Sequence, residues 1–338
     1  MLTRTDVEVA AMLGPEVRLQ APGPGKLPMF VQPAAAMGLQ AAVKWMRGHR
    51  EALADLVAAR GALVLRGFPL AETADFAALI DHYDSHEEGY AGGVTRRERI
   101  AGKVFEASQS PAPWLVGLHQ EMAYLPHYPR WVAFFCRRAA PVGGETIVAD
   151  VHDLQRELPA PFLARLRAKG IVYLRNFGTE ARTLPLIHKT WREAFYTDAR
   201  GAAERTARDM GMQCRWEEDG SLTVSYRATG FARHPATGEQ VFFNQIAGMA
   251  PSPMMLKERW ESFLSLYPPG KPWPIDVRYG DGSPIALDDL AALWAARERV
   301  TQSFPWRDGD LMVVDNIYTL HGRNPFQGER DVQVALLN

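Results

Sequence analysis

The stretch WLVGLHQEM, residues 114–122, is where the chain turns from helical to extended patterning. Ahead of it, LQAAVKWMRGHREALADLVAAR (39–60) carries apolar positions at helical spacing and stops at Gly61. Beyond it, WVAFFC (131–136), reached through a turn at 126–130, and GGETIVAD (143–150) read as further strands. Side chains two apart on a strand share a face. His119 and Glu121 are therefore expected to point the same way, an imidazole and a carboxylate able to meet one ion.

Working outward, ALVLRGF (62–68) is a short buried strand, and Thr73 can cap the helix TADFAALIDHY. Residues 21–36, rich in Pro, Gly and Ala, form an extended segment within an N-terminal arm over 1–40, and 84–113 read as a long polar loop. Helices over 151–169 and 188–212 flank the strand IVYLRNF (171–177). Asp219-Gly220 and Thr237-Gly238 mark hairpin turns, and a helix near 286–303 leads to the strands LMVVDN and VQVALL. Regular strand–helix alternation, the mark of a doubly wound sheet, is missing. The expectation is a mixed, mainly β architecture, a sandwich or barrel with helical additions. It forms a single domain over 1–338 with a partly helical insert at about 150–300.

The 338 residues carry 38 Lys+Arg against 39 Asp+Glu, a net charge of -1, which gives no whole-chain electrostatic case for nucleic acid. With 47% hydrophobic and 23% charged residues, disordered and fibrous classes are excluded. Cys136 and Cys214 make no disulfide framework and no CxxC zinc site. No apolar run approaches the length of a membrane span, and the first residues do not read as a secretory signal, so a cytoplasmic location with reduced thiols is expected.

Nucleophile and phosphate motifs fail: GxSxG is absent, and Gly23-Pro24-Gly25-Lys26 lacks P-loop spacing. His-x-Glu/Asp remains, the pair used in the two-His-one-carboxylate iron site. It occurs four times, at His49/Glu51, His82/Asp84, His86/Glu88 and His119/Glu121. The first lies in an expected helix, where residues two apart point to different faces. The next two sit where a helix frays into a polar loop, and a solvated charged loop accounts for them. Only His119/Glu121 has strand geometry behind it, though a surface pair would look the same. A third ligand must come from His127, His152, His188, His234 or His321. His321 follows the strand LMVVDNIYTL and starts the turn HGRNPFQGER, with Arg330 nine residues on; a turn histidine satisfied by backbone groups is the plain alternative.

These residues, together with GALVLRGFPL, YAGGVTRRERIAGKVFEAS, LHQEMAYLPHYP, FFCRRAAPVGGETIVAD, YLRNF, HPATGEQVFFNQ, RYGDGSPI and FPWRDGDLMVVDNIYTLHGRNPFQGER, resemble the Fe(II)/2-oxoglutarate-dependent taurine dioxygenase (TauD/TfdA) family from about residue 60 onward. Within it the likeness is to the SyrP-type and clavaminate synthase-like amino-acid hydroxylases. The resemblance implies a double-stranded β-helix, or jelly roll, with flanking and inserted helices. It implies iron ligands at His119, Glu121 and His321, with 2-oxoglutarate and O2 as cosubstrates. Arg330 matches the arginine that grips the distal carboxylate of 2-oxoglutarate, with Arg323 the understudy, and Thr146 matches a threonine that assists it. A buried carboxylate calls for an always-charged bidentate partner, which favours arginine.

The implied reaction is hydroxylation of an aliphatic C–H bond in an amino-acid-like small molecule, free or tethered to a peptidyl carrier protein. Desaturation, epimerisation, sulfonate or ether oxidation, and a binding protein without catalysis are the alternatives. Related halogenases have Ala or Gly in place of the carboxylate ligand, so Glu121 favours hydroxyl transfer over chlorine. Arg175, Asn176, Arg227 and Asn244 are candidate substrate contacts, being polar residues amid apolar strands, and each could equally be a satisfied polar group; Trp114, Tyr124 and Phe135 read as core. Neither a nucleic acid nor a membrane is expected as partner, and an oligomer is allowed.

Overall fold

The computed structural model describes residues 8, 11–22, 26–86, 98–107 and 110–338. Glu88 and the Gly23–Gly25 segment lie outside them.

The strand Trp131–Arg138 organises the molecule. Its apolar run is unbroken because both of its faces are covered. Trp131, Ala133 and Phe135 pack with the N-terminal helices, whereas Val132, Phe134 and Cys136 pack in the main core. The same alternation runs through Asp331–Leu337, which sends Ala335 and Leu337 one way and Val332, Val334 and Leu336 the other. A strand buried on both sides reads as continuous hydrophobicity rather than as alternation.

Eight strands form the large sheet, in the order Val17–Gln20, Met29–Pro33, Ala62–Leu65, Leu311–Asp315, Trp131–Arg138, Asp331–Leu337, Val104–Glu106, Arg99–Ala101. All pairs are antiparallel except Met29–Pro33 with Ala62–Leu65. A small four-stranded sheet follows the order Gln302–Phe304, Thr146–Asp150, Thr319–Arg323, Val116–His119. Its Ile147, Val148, Ala149, Leu320 and Leu118 share the main core with the inner face of the large sheet. A third sheet, Gln213–Trp216, Leu222–Ala228, Ile171–Phe177 and Ile275–Tyr279, lies within the stretch expected to be a partly helical insert.

Several expected boundaries shift for local reasons. The segment 39–60 is two helices, Leu39–Gly48 and Arg50–Arg60, because His49 leaves helical geometry (φ −112°, ψ 19°) just after Gly48. The 151–169 helix breaks into Val151–Glu157 and Ala160–Lys169 at Leu158-Pro159, since proline holds the preceding residue extended. In 188–212 the helices are Trp191–Phe195 and Arg200–Asp209, the first ending at Tyr196 in left-handed geometry, and His188 is not helical. Glu72, not Thr73, is the N-cap of helix Thr73–Ile80, and Asp75 accepts from the Glu72 N–H. The Thr73 hydroxyl instead accepts from Gln333. The 21–36 segment is extended as expected, but Met29–Pro33 is built into the large sheet. The 84–113 stretch contains two strands of that sheet, Arg99–Ala101 and Val104–Glu106.

Candidate active site

The small sheet carries the candidate ligands. His321 on Thr319–Arg323 stands opposite His119 on Val116–His119, so strand register alone brings together two residues 202 positions apart. Their ring centroids are 4.5 Å apart. The strand ends at His119, three residues short of the expected end at Met122, and Glu121 reaches the histidines from the turn beyond it. Met122 in left-handed geometry (φ 58°) makes that turn. Asn316 holds it: Oδ1 accepts from the Glu121 N–H at 2.6 Å, and Nδ2 donates to the Glu121 and Pro129 carbonyls. Gln120, between the two ligands, points elsewhere and donates to the Phe242 and Ile317 carbonyls.

One ligand atom from each of His119, Glu121 and His321 lies within 4.8 Å of the others, and among the described residues this is the one such group of His, Cys, Asp and Glu. Glu121 Oε2 is 3.9 Å from His119 Nε2 and 3.7 Å from His321 Nε2. His119 Nδ1–H donates to the Gly117 carbonyl at 2.9 Å, which leaves Nε2 as the lone-pair donor. His321 is buried, and neither of its ring nitrogens has a hydrogen-bond partner. Such an imidazole is costly unless something coordinates it. Two imidazoles and a carboxylate on one side suit a divalent iron with open positions.

The other histidines have other duties. His234 is fully buried and paired with Asp315 at 2.8 Å, stacked on Tyr318. His152 bridges Asp150 and Glu239. His188 meets the Tyr267 hydroxyl and Asn176, and burial pulls its pKa down to about 4. His127 and His86 line an open surface cleft with Asp84. His49 bonds the Trp45 carbonyl at the break between two helices.

Two cavities meet at the wall formed by Ser110, Val116 and His119. The smaller, of about 100 Å³, also exposes His321, Thr146, Arg323 and Arg330. Thr146 stands opposite Arg323 in the sheet, and its Oγ1 accepts from Trp306 Nε1 at 3.0 Å, so its own O–H is left to donate. The two arginines divide their work. Arg323 donates to the carbonyls of Ser110, Pro111 and Trp114 and so pins the 110–114 loop. Among the described residues Arg330 donates only Nε, to the Gly144 carbonyl, and forms no ion pair. Burial, and then Arg323 nearby, lower its pKa to about 10, so it stays a cation. Its terminal nitrogens are what a ligand carboxylate requires.

The larger cavity, about 270 Å³, is lined by Glu121, Trp114, Tyr124, Met249, Trp294 and Arg297 among others. Trp114 and Tyr124, read from sequence as core, therefore face this cavity. None of Arg175, Asn176, Arg227 and Asn244 lines it. Arg175 lies between the Tyr124 and Phe177 rings, at 5.4 and 4.6 Å. Asn176 bonds Ser221, Thr223 and His188, and Asn244 bonds the Gly230 carbonyl and the Ile246 N–H. Arg227 bonds the Gly280 carbonyl from an exposed position. Sequence reading missed Asn316, Trp306 and Arg297. The signal for the first was an Asn closing an apolar strand, LMVVDN, where a polar residue needs a partner; the other two carry no local signal.

The sequence matches the family described as taurine catabolism dioxygenase TauD, TfdA family, over residues 28–336. The chain belongs to that family. It is a dioxygenase of the ferrous iron and 2-oxoglutarate class. It is 31% identical over 285 residues to the dapdiamide synthesis protein DdaC of Enterobacter agglomerans, covering 84% of each chain. It is 28% identical over 308 residues to a clavaminate synthase-like protein of Arabidopsis thaliana, covering 90% of this chain and 89% of the other. Among solved structures, PvcB of Pseudomonas aeruginosa, an Fe, alpha-ketoglutarate dependent oxygenase from an isonitrile synthetic pathway, has a similar fold. The TM-score is 0.51 at 16% identity, over 96% of this chain and 92% of that one. No helix among the described residues is long and apolar enough to cross a membrane.

Proposed function

We propose that this dioxygenase hydroxylates an aliphatic C–H bond of an amino-acid-like small molecule, with His119, Glu121 and His321 as the iron ligands. The observation that carries the reading is the buried, unpartnered His321 imidazole beside the Glu121 carboxylate, 3.7 Å away, next to a cavity holding an unpaired arginine. In this reading the large and small sheets are the two walls of a jelly roll, which the shared core between them supports. Similarity to a dapdiamide synthesis protein supports a biosynthetic small molecule as substrate.

When bound, the iron and the keto acid together supply an oxidant, through decarboxylation of 2-oxoglutarate to succinate with dioxygen. The chain supplies position. Arg330 would take the distal carboxylate of 2-oxoglutarate, and the Thr146 O–H, its oxygen already accepting from Trp306, would donate to the same group. Arg323 closes the 110–114 loop over the wall shared by the two cavities. The larger cavity, with His119 and Glu121 on its wall, would hold the substrate next to those two ligands. Glu121 keeps a negative charge where a chloride would otherwise sit, so the group transferred is hydroxyl.

Anaerobic addition of ferrous iron and 2-oxoglutarate should produce the visible charge-transfer band of a chelated keto acid, which a non-catalytic binding protein lacks. Mass spectrometry with labelled dioxygen in high chloride should find one oxygen added and one succinate per turnover. A chlorinated product would overturn the role of Glu121, and a product lighter by two hydrogens would move the outcome to desaturation.

A further inference from the structure

Arg297 is a buried cation with no counterion among the described residues. It lies on the helix Leu287–Val300, is 5% exposed, and stacks over Trp294 at 4.7 Å. Nη2 donates to the Leu118 carbonyl, next to His119. Nε and Nη1 are buried without a hydrogen-bond partner, and no carboxylate among the described residues pairs with it. Burial alone depresses its pKa, to about 10, with no opposing charge to lift it. It is therefore charged at neutral pH, and an unpaired buried charge of this kind awaits a partner.

We propose that Arg297 anchors a carboxylate of the substrate in the larger cavity, so that the substrate is a free acid rather than a carrier-bound thioester. This rests on the dioxygenase reading of the neighbouring metal centre and names the substrate class that reading leaves open.

The cavity fits that assignment. Apolar groups, among them Ile187, Met249, Met255 and Trp294, make most of its wall, and Glu121 is the one carboxylate on it. The other cation there, Arg259, is engaged with the Pro185 carbonyl and the Trp114 ring. Gly117 is part of the design, because a Cβ there would lie 2.9 Å from Arg297 Nη2 and displace the guanidinium. The Gly117 carbonyl also orients His119. The anchor is thus bonded to the residue that precedes a candidate metal ligand, which would hold the acid end of a small molecule close to that ligand. The two cavities then share one plan, with Arg330 unpaired in one and Arg297 in the other, on either side of His119. A thioester carries no charge and would leave Arg297 uncompensated.

The test uses the anaerobic protein loaded with ferrous iron and 2-oxoglutarate. The twenty L-amino acids and their C-terminal amides serve as paired probes, with thermal stabilisation followed over a concentration series. At least one acid should bind at least about 30-fold tighter than its amide, the ratio expected when a buried charge loses its partner. Arg297→Met should keep the charge-transfer band, which reports folding and cosubstrate binding, and lose the preference for acid over amide. Arg297→Lys should keep part of it. Equal binding of acid and amide, binding of no acid, or an unchanged preference in Arg297→Met would each overturn the proposal. Loss of the band in the unmutated protein would instead overturn the dioxygenase reading itself.

Discussion

Replacing Arg330 with Met should weaken 2-oxoglutarate binding while making the unliganded protein more stable. Burial and the nearby Arg323 hold the Arg330 guanidinium near pKa 10 instead of 12.5. At 1.36 kcal/mol per tenfold, that gap corresponds to about 3 kcal/mol against the charged form. With no ligand present this cost is offset only by one hydrogen bond, from Nε to the Gly144 carbonyl, and by the Phe326 ring 5.6 Å away. Methionine removes the charge and gives up that bond, worth about 1 kcal/mol. The unliganded variant should therefore gain on the order of 1–2 kcal/mol. The liganded state behaves oppositely. A carboxylate deprived of its buried partner loses about 2–5 kcal/mol, so apparent 2-oxoglutarate affinity should fall at least about 30-fold. Titrating the anaerobic charge-transfer band gives the affinity, and urea unfolding without cosubstrate gives the stability. Unchanged affinity in Arg330→Met, with loss in Arg323→Ala, would move the cosubstrate role to Arg323. A large drop in unliganded stability would refute the claim that Arg330 stands largely uncompensated.

Three further outcomes follow from the same geometry. His321→Ala should abolish turnover and metal binding, whereas His49→Ala and His86→Ala should leave both nearly intact; isothermal titration with ferrous iron separates them, and loss in the loop variants would sink the ligand set. Asn316→Ala removes the partner of the buried Glu121 N–H and should weaken metal binding by about 10–100-fold, as loss of groups that orient ligands does. The same variant should also unfold about 1–3 kcal/mol more easily. His188 is neutral in the fold, with its pKa lowered to about 4 by burial, while the unfolded chain protonates near 6.5. The unfolded state then binds more protons between those values, so stability is full above about pH 6.5 and falls as the pH drops toward 4. His188→Gln should flatten that decline in urea unfolding across pH 4–7.

Candidate ligands were legible in the amino-acid sequence before any fold was known. Local periodicity exposed the strands around 114–150 and 311–337, and the short pair His119-x-Glu121 marked a metal half-site because backbone direction is a local property. Resemblance then pointed to His321 and Arg330, far along the chain. Tertiary structure decided the rest. Strand register set His321 opposite His119, and no local pattern encodes pairing across 202 residues. Glu121 reaches the histidines from a turn rather than along the strand, because Asn316, distant in sequence, holds its backbone there. Arg323 and Arg330 are indistinguishable as letters, and only the three carbonyls around Arg323 leave Arg330 as the cation open to a ligand. Arg297, on an ordinary-looking helix, becomes an unpaired buried charge only when that helix closes on Gly117, since burial and pairing belong to the packed molecule and not to the segment.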